Sequence, residues 1–345
     1  MTPIRWGIVL ALGAAAAFGA TTPLVQRFGI GAGPFATAAL LYAGAAGFAA
    51  ISRSGRVEQR LDRGWWRRVL AIATFGAFVA PVALAAGLAL TSGTTAALLL
   101  NLEAVLTVAL GALVYREPVG ARVISAMALI AAGGALVALD GAVGGATVSL
   151  LGPLLVVVAT AGWALDNTLS RPLSDLDPAD VVVAKGLVGA ALSVTVALAR
   201  GEVWPPLLSA LGVLACGAFG YGASLRLYLR AQRVLGAART GSVFAVAPFL
   251  GALVAVLLGE PLGGWITAAG AGAMAAGVWL HLGEEHDHEH THEPLAHDHP
   301  HRHDDGHHDH VHDPPVEGVH AHPHVHTPVT HRHAHGEDLH HRHHG

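Results

Sequence analysis

Ten apolar runs of about 20 residues each occupy residues 1–280, and they constrain the fold more than any other feature. A helix needs about 20 apolar residues to cross a bilayer, and it satisfies its backbone hydrogen bonds internally, as lipid requires. Charged residues make up 13% of the chain, about half the share in an ordinary soluble domain. We therefore predict an all-α membrane protein with about ten transmembrane helices, at residues 5–26, 33–51, 69–90, 94–114, 120–139, 150–170, 180–199, 207–229, 239–258 and 262–281.

The arginines fall almost entirely on one side of the predicted membrane. We call the side of the membrane that holds the N-terminus side X and the opposite side side Y. Successive spans cross in opposite directions, which places Arg27 and Arg200 on side Y and all the other arginines on side X. Positive charges are retained on the cytoplasmic side, so side X is predicted to be cytoplasmic, with both termini there. The expected location is the inner membrane of a bacterial-type cell. The basic residues at 53–68 are expected to contact anionic lipid, and no nucleic-acid partner is expected.

The first 280 residues contain an internal repeat. Two pairs of segments are similar in sequence, namely residues 16–24 with 161–169, and residues 102–118 with 246–261. Each unit holds five spans, and this odd number turns the second unit upside down relative to the first. Inverted repeats are typical of secondary transporters whose substrate site lies near the membrane midplane. The first run also has features of a secretory signal, but its match in the second unit favours a retained span.

Residues 163–167 read Trp-Ala-Leu-Asp-Asn. Together with the five-span repeats at 5–140 and 150–281, this stretch resembles the EamA-type members of the drug/metabolite transporter superfamily. The first repeat departs from that pattern, with Phe18 and Thr22 where Trp and Asn are usual. The resemblance implies a secondary transporter, most often an exporter of small metabolites, and does not identify the substrate. No enzyme activity is predicted.

Glu103 lies near the middle of the fourth span, where its side chain cannot reach the headgroups. Ionisable residues at such depth are costly and usually functional. We expect Glu103 either to exchange a proton or to meet a cationic group, with Asn101 one turn away along the pathway. A structural carboxylate bonded to a neighbouring helix is the alternative. The second repeat has Ala247-Pro248 where the first has Glu103-Ala104, so the two halves are not chemically equivalent.

Three further charged residues lie about one turn inside the side-X ends of their spans: Asp166, Lys185 and Arg226. Their similar depth predicts an ion cluster or a gate, although Lys and Arg at this depth also reach headgroups by extending their side chains. Trp163 and Asn167 are expected to line one face of the sixth span. Glu117 and Glu260, each followed by Pro, are expected to end helices and to pair with arginines such as Arg116 or Arg122.

Residues 283–345 differ completely in composition. All 24 histidines of the chain lie at or beyond position 281, alternating with Asp and Glu, and such a segment cannot form a hydrophobic core and is disordered when free. Imidazole and carboxylate ligands suit Zn, Ni, Co or Cu. The candidate ligands are His286, His288, His290, His292, His297, His299, His301, His303, His307, His308, His310 and His312.

Three functions remain open from the sequence. The tail buffers or senses metal for a carrier of small metabolites, or it supplies metal to a divalent-metal exporter, or the protein is a membrane metal sensor that transports nothing. The spans contain a single cysteine, Cys216, and no histidine before His281, whereas a dehydrated metal ion needs three or four good ligands. Metabolite export is therefore favoured. No cofactor is required, the partners are a small-molecule or ion substrate and membrane lipid, and a homodimer is left open.

Overall fold

The computed structural model divides the chain into two units, residues 1–283 and 284–345. In the first unit it describes residues 3–52, 63–116, 119–143, 149–173 and 176–282; in the second it describes the backbone of residues 287–291, 296–301, 320–325 and 330–334.

Each of the ten predicted spans corresponds to a helix in the described residues. The helices are α1 Pro3–Phe28, α2 Pro34–Ile51, α3 Trp66–Leu88, α4 Gly93–Tyr115, α5 Ala121–Val143, α6 Leu151–Ser170, α7 Pro178–Ala199, α8 Leu207–Leu235, α9 Arg239–Leu257 and α10 Trp265–Leu282. Eight of these described helices are long and apolar enough to cross a membrane. The other two, α6 and α10, have 20 and 18 residues.

The end of α8 differs most from its prediction. The eighth span was expected to end at residue 229, with a polar linker to residue 239, but the helix continues to Leu235 and carries Arg230 and Arg233 in its last two turns. The physical reason is that arginine is a good helix former, so loss of hydropathy marks the edge of the membrane and not the end of the helix. Gly236, at φ 82°, ends the helix in a conformation that suits glycine.

The two repeats share the same irregularities. Both α3 and α8, the third helices of their repeats, contain a π-helical segment, at Ala73–Val79 and Gly217–Ala223. Both fourth helices are interrupted, α4 after Leu99 and α9 after Phe244. Single π turns occur frequently at functional sites because they displace side chains and free backbone carbonyls. The architecture is therefore two repeats of five helices each, with ten helices in the described part of the chain.

Helices of the two repeats pack closely through small residues. An ideal Cβ on Gly133 of α5 would lie 2.5 Å from the carbonyl oxygen of Gly270 on α10, and one on Gly270 would lie 2.7 Å from the Gly133 oxygen. Close approach of glycine-bearing surfaces is the usual mode of helix packing in lipid. The main buried cluster draws on both repeats and includes Leu84, Leu99, Ile130, Val156, Val213 and Met274.

The second unit contains four short strands in its described residues. They are β1 Asp287–Thr291, β2 Ala296–His301, β3 His320–Val325 and β4 Thr330–Ala334; β1 pairs with β4 and β2 with β3, both antiparallel. A two-stranded ladder is marginally stable at best in water without an apolar face. The sequence predicted no strands in the tail, and the expectation that it is disordered when free stays a prediction.

Candidate functional site

A cavity of about 460 Å³ lies between the repeats, and nine of the ten helices contribute to its wall. It extends from mid-helix positions such as Glu103 to the side-X ends of the helices, where His281 lies at the end of α10. The cavity therefore occupies the side-X half of the helical unit. Its size is typical of small-molecule sites, which are apolar with a few polar anchors.

Six of the seven residues predicted for a transport pathway line this cavity. They are Asn101, Glu103, Trp163, Asp166, Asn167 and Lys185. The seventh, Arg226, is not among the lining residues: its Nη1 donates a hydrogen bond to the Ser52 carbonyl oxygen at the end of α2, at 2.6 Å. The predicted three-residue ion cluster is therefore an Asp166–Lys185 pair, because Arg226 faces α2.

Glu103 meets the opposite repeat in the cavity. The Nδ2 of Asn167 on α6 donates a hydrogen bond to Glu103 Oε1 at 2.7 Å. The interruption of α4 just before Leu102 lies next to this carboxylate. There the side-chain Nδ2 of Asn101 donates a hydrogen bond to the Leu98 carbonyl oxygen at 3.0 Å. Glu103 is thus bonded to a neighbouring helix and also lines the cavity; its exchange of a proton or contact with a cationic group stays a prediction.

Asp166 and Lys185 form an ion pair at the cavity wall. Lys185 Nζ lies 2.6 Å from Asp166 Oδ2, with the two side chains 19% and 4% exposed. Ser170 Oγ donates to the other carboxylate oxygen at 3.0 Å. Lys185 is therefore turned towards α6 and does not extend to the headgroups. The positive charge of this lysine is largely compensated by the more deeply buried carboxylate.

The π-helical segment of α3 positions this wall. Trp163 Nε1 donates to the Gly76 carbonyl oxygen at 3.0 Å and lies 3.2 Å from Tyr42 Oη, and the Tyr42 hydroxyl donates to the same carbonyl. An ideal Cβ on Gly76 would clash with the Asp166 carboxyl group. Glycine at this position therefore permits the close approach of Asp166.

An aromatic wall of the cavity was not predicted from the sequence. Tyr42 and Tyr221 stack with their ring centroids 5.7 Å apart, Phe18 meets Tyr221 edge-on at 5.8 Å, and Tyr228 meets Phe244 at 5.1 Å. The chain has only four tyrosines, and three of them line the cavity. Their scarcity within apolar spans was the available signal, but only tertiary packing brings them to one surface.

Glu260 does not pair with an arginine as predicted. Its carboxylate accepts hydrogen bonds from the Gly93 and Thr94 backbone amides, at 2.7 and 2.9 Å. The first turn of a helix presents unpaired amide groups and a partial positive charge, which is why a helix end competes successfully with an arginine. Glu117 lies outside the described residues.

Candidate metal ligands do not gather in the part of the chain whose side chains are described, where no group of three His, Cys, Asp or Glu residues is arranged to hold a metal ion. Of the tail histidines predicted as ligands, His288, His290, His297, His299 and His301 lie on β1 and β2 with only their backbone described, and the others lie outside the described residues. The metal site of the tail stays a prediction.

Comparison with known proteins gives a consistent picture. The model of the EamA-like transporter family matches residues 5–139 and 150–283. An uncharacterized transporter of Methanothermobacter thermautotrophicus is 30% identical over 217 residues, which cover 61% of this chain and 63% of that protein, so the chain matches less than two thirds of its relative. A solved structure described as a crystal structure of a protein has a TM-score of 0.60 and 18% identity, covering 79% of this chain and 94% of the other, and thus shares its fold. The chain belongs to the EamA-like transporter family.

Proposed function

We propose that this protein is a secondary active transporter that exports a small metabolite by alternating access. The observation that carries the proposal is the cavity of about 460 Å³ lined by both inverted repeats. A site between such repeats changes the side to which it opens when one repeat rocks against the other. Membership of a transporter family supports the same conclusion. With side X cytoplasmic, the cavity lies on the side from which an exporter takes its substrate.

Glu103 is the residue we assign to coupling. The cavity wall carries the two carboxylates of Glu103 and Asp166, the ammonium group of Lys185 and, at the end of α10, the imidazole of His281. Because Lys185 is paired with Asp166, Glu103 provides the remaining negative charge. A proton or the cationic group of a substrate neutralises that charge, and its bond to Asn167 links the neutralisation to the contact between the repeats.

Glu103→Gln tests the assignment. The amide keeps the shape of the side chain and removes its charge, so we expect substrate flux driven by a pH gradient to fall to the level of protein-free liposomes while membrane insertion is unchanged. The assay uses proteoliposomes and a panel of radiolabelled amino acids and small amines. Asp177→Asn is the matched control, because Asp177 caps its own helix, accepting from Ala179 N at 2.8 Å. Full flux in Glu103→Gln contradicts the role.

Export of a divalent metal is the second candidate function. It is favoured by the 24 histidines at and beyond position 281, whose imidazoles suit late first-row metals, and by His281, which lies at the cavity wall. In our preferred proposal the tail instead binds metal as a buffer or sensor for the metabolite carrier. A location in the inner membrane, with both termini cytoplasmic, is part of the same proposal, and a homodimer is left open.

A further inference from the structure

We propose that Glu260, Glu202 and Asp140 are positioning residues that hold side Y shut by bonding helix N-termini across the two repeats. The inference rests on the proposed function, since it names the contacts that alternating access has to break. Each carboxylate belongs to one repeat and caps a helix of the other. All three lie on side Y, opposite the cavity.

Glu260 follows α9 and accepts hydrogen bonds from the first turn of α4. Its two carboxylate oxygens accept the amides of Gly93 and Thr94, and Oε2 also accepts from the Thr94 hydroxyl at 2.8 Å. An ideal Cβ on Gly93 would lie 2.9 Å from Glu260 Oε1, so glycine at the start of α4 leaves room for the carboxylate. The fourth helix of one repeat is thereby tied to the fourth helix of the other.

Glu202 lies between α7 and α8 and accepts a hydrogen bond from α2. Its Oε2 accepts the Ala36 amide at 3.0 Å in the first turn of α2. The neighbouring backbone adds a second bond, because Gly33 N donates to the Val203 carbonyl at 3.0 Å. A side chain on Gly33 would occupy the position of the Glu202 carboxylate. The connection between α7 and α8 is therefore docked on the start of α2.

Asp140 acts in the opposite direction, from the first repeat to the second. It lies near the side-Y end of α5, and its Oδ2 accepts the Thr267 amide at 3.2 Å and the Thr267 hydroxyl at 2.5 Å. Thr267 is in the first turn of α10. Three helices thus begin on side Y with a carboxylate supplied by the other repeat.

These contacts do more than satisfy the amides of helix N-termini: each also joins one repeat to the other on side Y. A carboxylate at a helix N-terminus satisfies amides that have no partner within the helix and interacts favourably with the helix dipole. When the carboxylate and the helix belong to different repeats, separating the repeats breaks these hydrogen bonds. The amides and the carboxylate must then bond to water. Opening side Y requires this separation, so the three contacts favour the state in which the cavity is on side X.

Distance measurements on the full-length protein in liposomes test the closure without any substrate. Cys216 is the only cysteine of the chain and is replaced by alanine, so spin labels can be attached at chosen positions. One pair is placed on side Y, at the exposed Leu90 and Leu262, and one on side X, at the exposed Ile51 and Val234. Double electron–electron resonance then reports the two distances in Glu260→Ala, Glu202→Ala, Asp140→Ala and the matched control Asp177→Ala.

We expect each of the three variants to raise the ratio of side-Y-open to side-Y-closed molecules about tenfold, which corresponds to about 1.4 kcal/mol. The side-Y distance should lengthen while the side-X distance shortens, and Asp177→Ala should leave both unchanged. The proposal is overturned if neither distance changes in any of the three variants, if only side Y loosens, or if the control behaves in the same way. If the unaltered protein transported nothing, the proposed function would be wrong. The measured distances would still show whether the three contacts hold side Y closed.

Discussion

At the residue scale, the site depends on one glycine, Gly76, as much as on its charged residues. Gly76 lies where α3 is π-helical, and its carbonyl binds both Tyr42 and Trp163. The space where its side chain would be is filled by the carboxyl group of Asp166. The Asp166–Lys185 pair therefore depends on Gly76 of α3 having no side chain.

Gly76→Ala should destabilise the protein by about 1–3 kcal/mol, the usual cost of adding a methyl group to a packed interior. The new Cβ would displace Asp166 from Lys185. Gly47→Ala on α2 is the matched control, because nothing lies within 4 Å of its ideal Cβ; alanine there should be neutral or stabilising by up to about 1 kcal/mol. Thermal unfolding in detergent compares the two, and equal midpoints would contradict the argument.

At the element scale, helix positions follow local composition, whereas helix pairing does not. The ten runs predicted from hydropathy match α1–α10 to within a few residues except at the end of α8. The pairing of α5 with α10 was not predicted, since glycine-rich faces occur on many of the helices. It depends on Gly133 and Gly270 meeting at one crossing point, a fact of three-dimensional packing.

Gly270→Leu should separate α5 from α10 and lower the melting temperature strongly, since its Cβ would lie 2.7 Å from the Gly133 carbonyl oxygen and 2.8 Å from Val137 Cγ2, both on α5. Gly272→Leu, two residues along the same helix, has nothing within 4 Å of its ideal Cβ and should be tolerated. Melting curves of both variants in the same detergent provide the comparison. A similar loss in the two would mean that the α5–α10 contact contributes little to stability.

At the scale of the whole molecule, the chain combines a helical unit with a chemically separate tail. The family match ends at residue 283, and the division into compact units falls at the same residue. The carrier and the tail are therefore expected to be separable in function.

Truncation after Gly283 should abolish binding of radiolabelled Zn, Ni or Co, and neither the full chain nor the truncated one should move these metals across proteoliposomes. The expectation follows from the concentration of histidines in residues 284–345. Equilibrium binding and flux are measured on both chains and on Glu103→Gln. Metal flux that survives truncation and is lost in Glu103→Gln would make the metal the substrate and our preferred proposal wrong.

The sequence by itself determined the membrane class, the helical runs, the two repeats and most of the charged residues at the cavity, because in lipid the cost of a polar group and the need for internal hydrogen bonds are local properties. Only the tertiary structure decided what those residues meet. Glu260 bonds Gly93, 167 positions away; Tyr42 stacks on Tyr221; Arg226 bonds Ser52 and leaves the cavity. Such contacts depend on which helix faces pack together, and in a chain rich in Ala, Gly and Leu many faces have nearly the same local pattern.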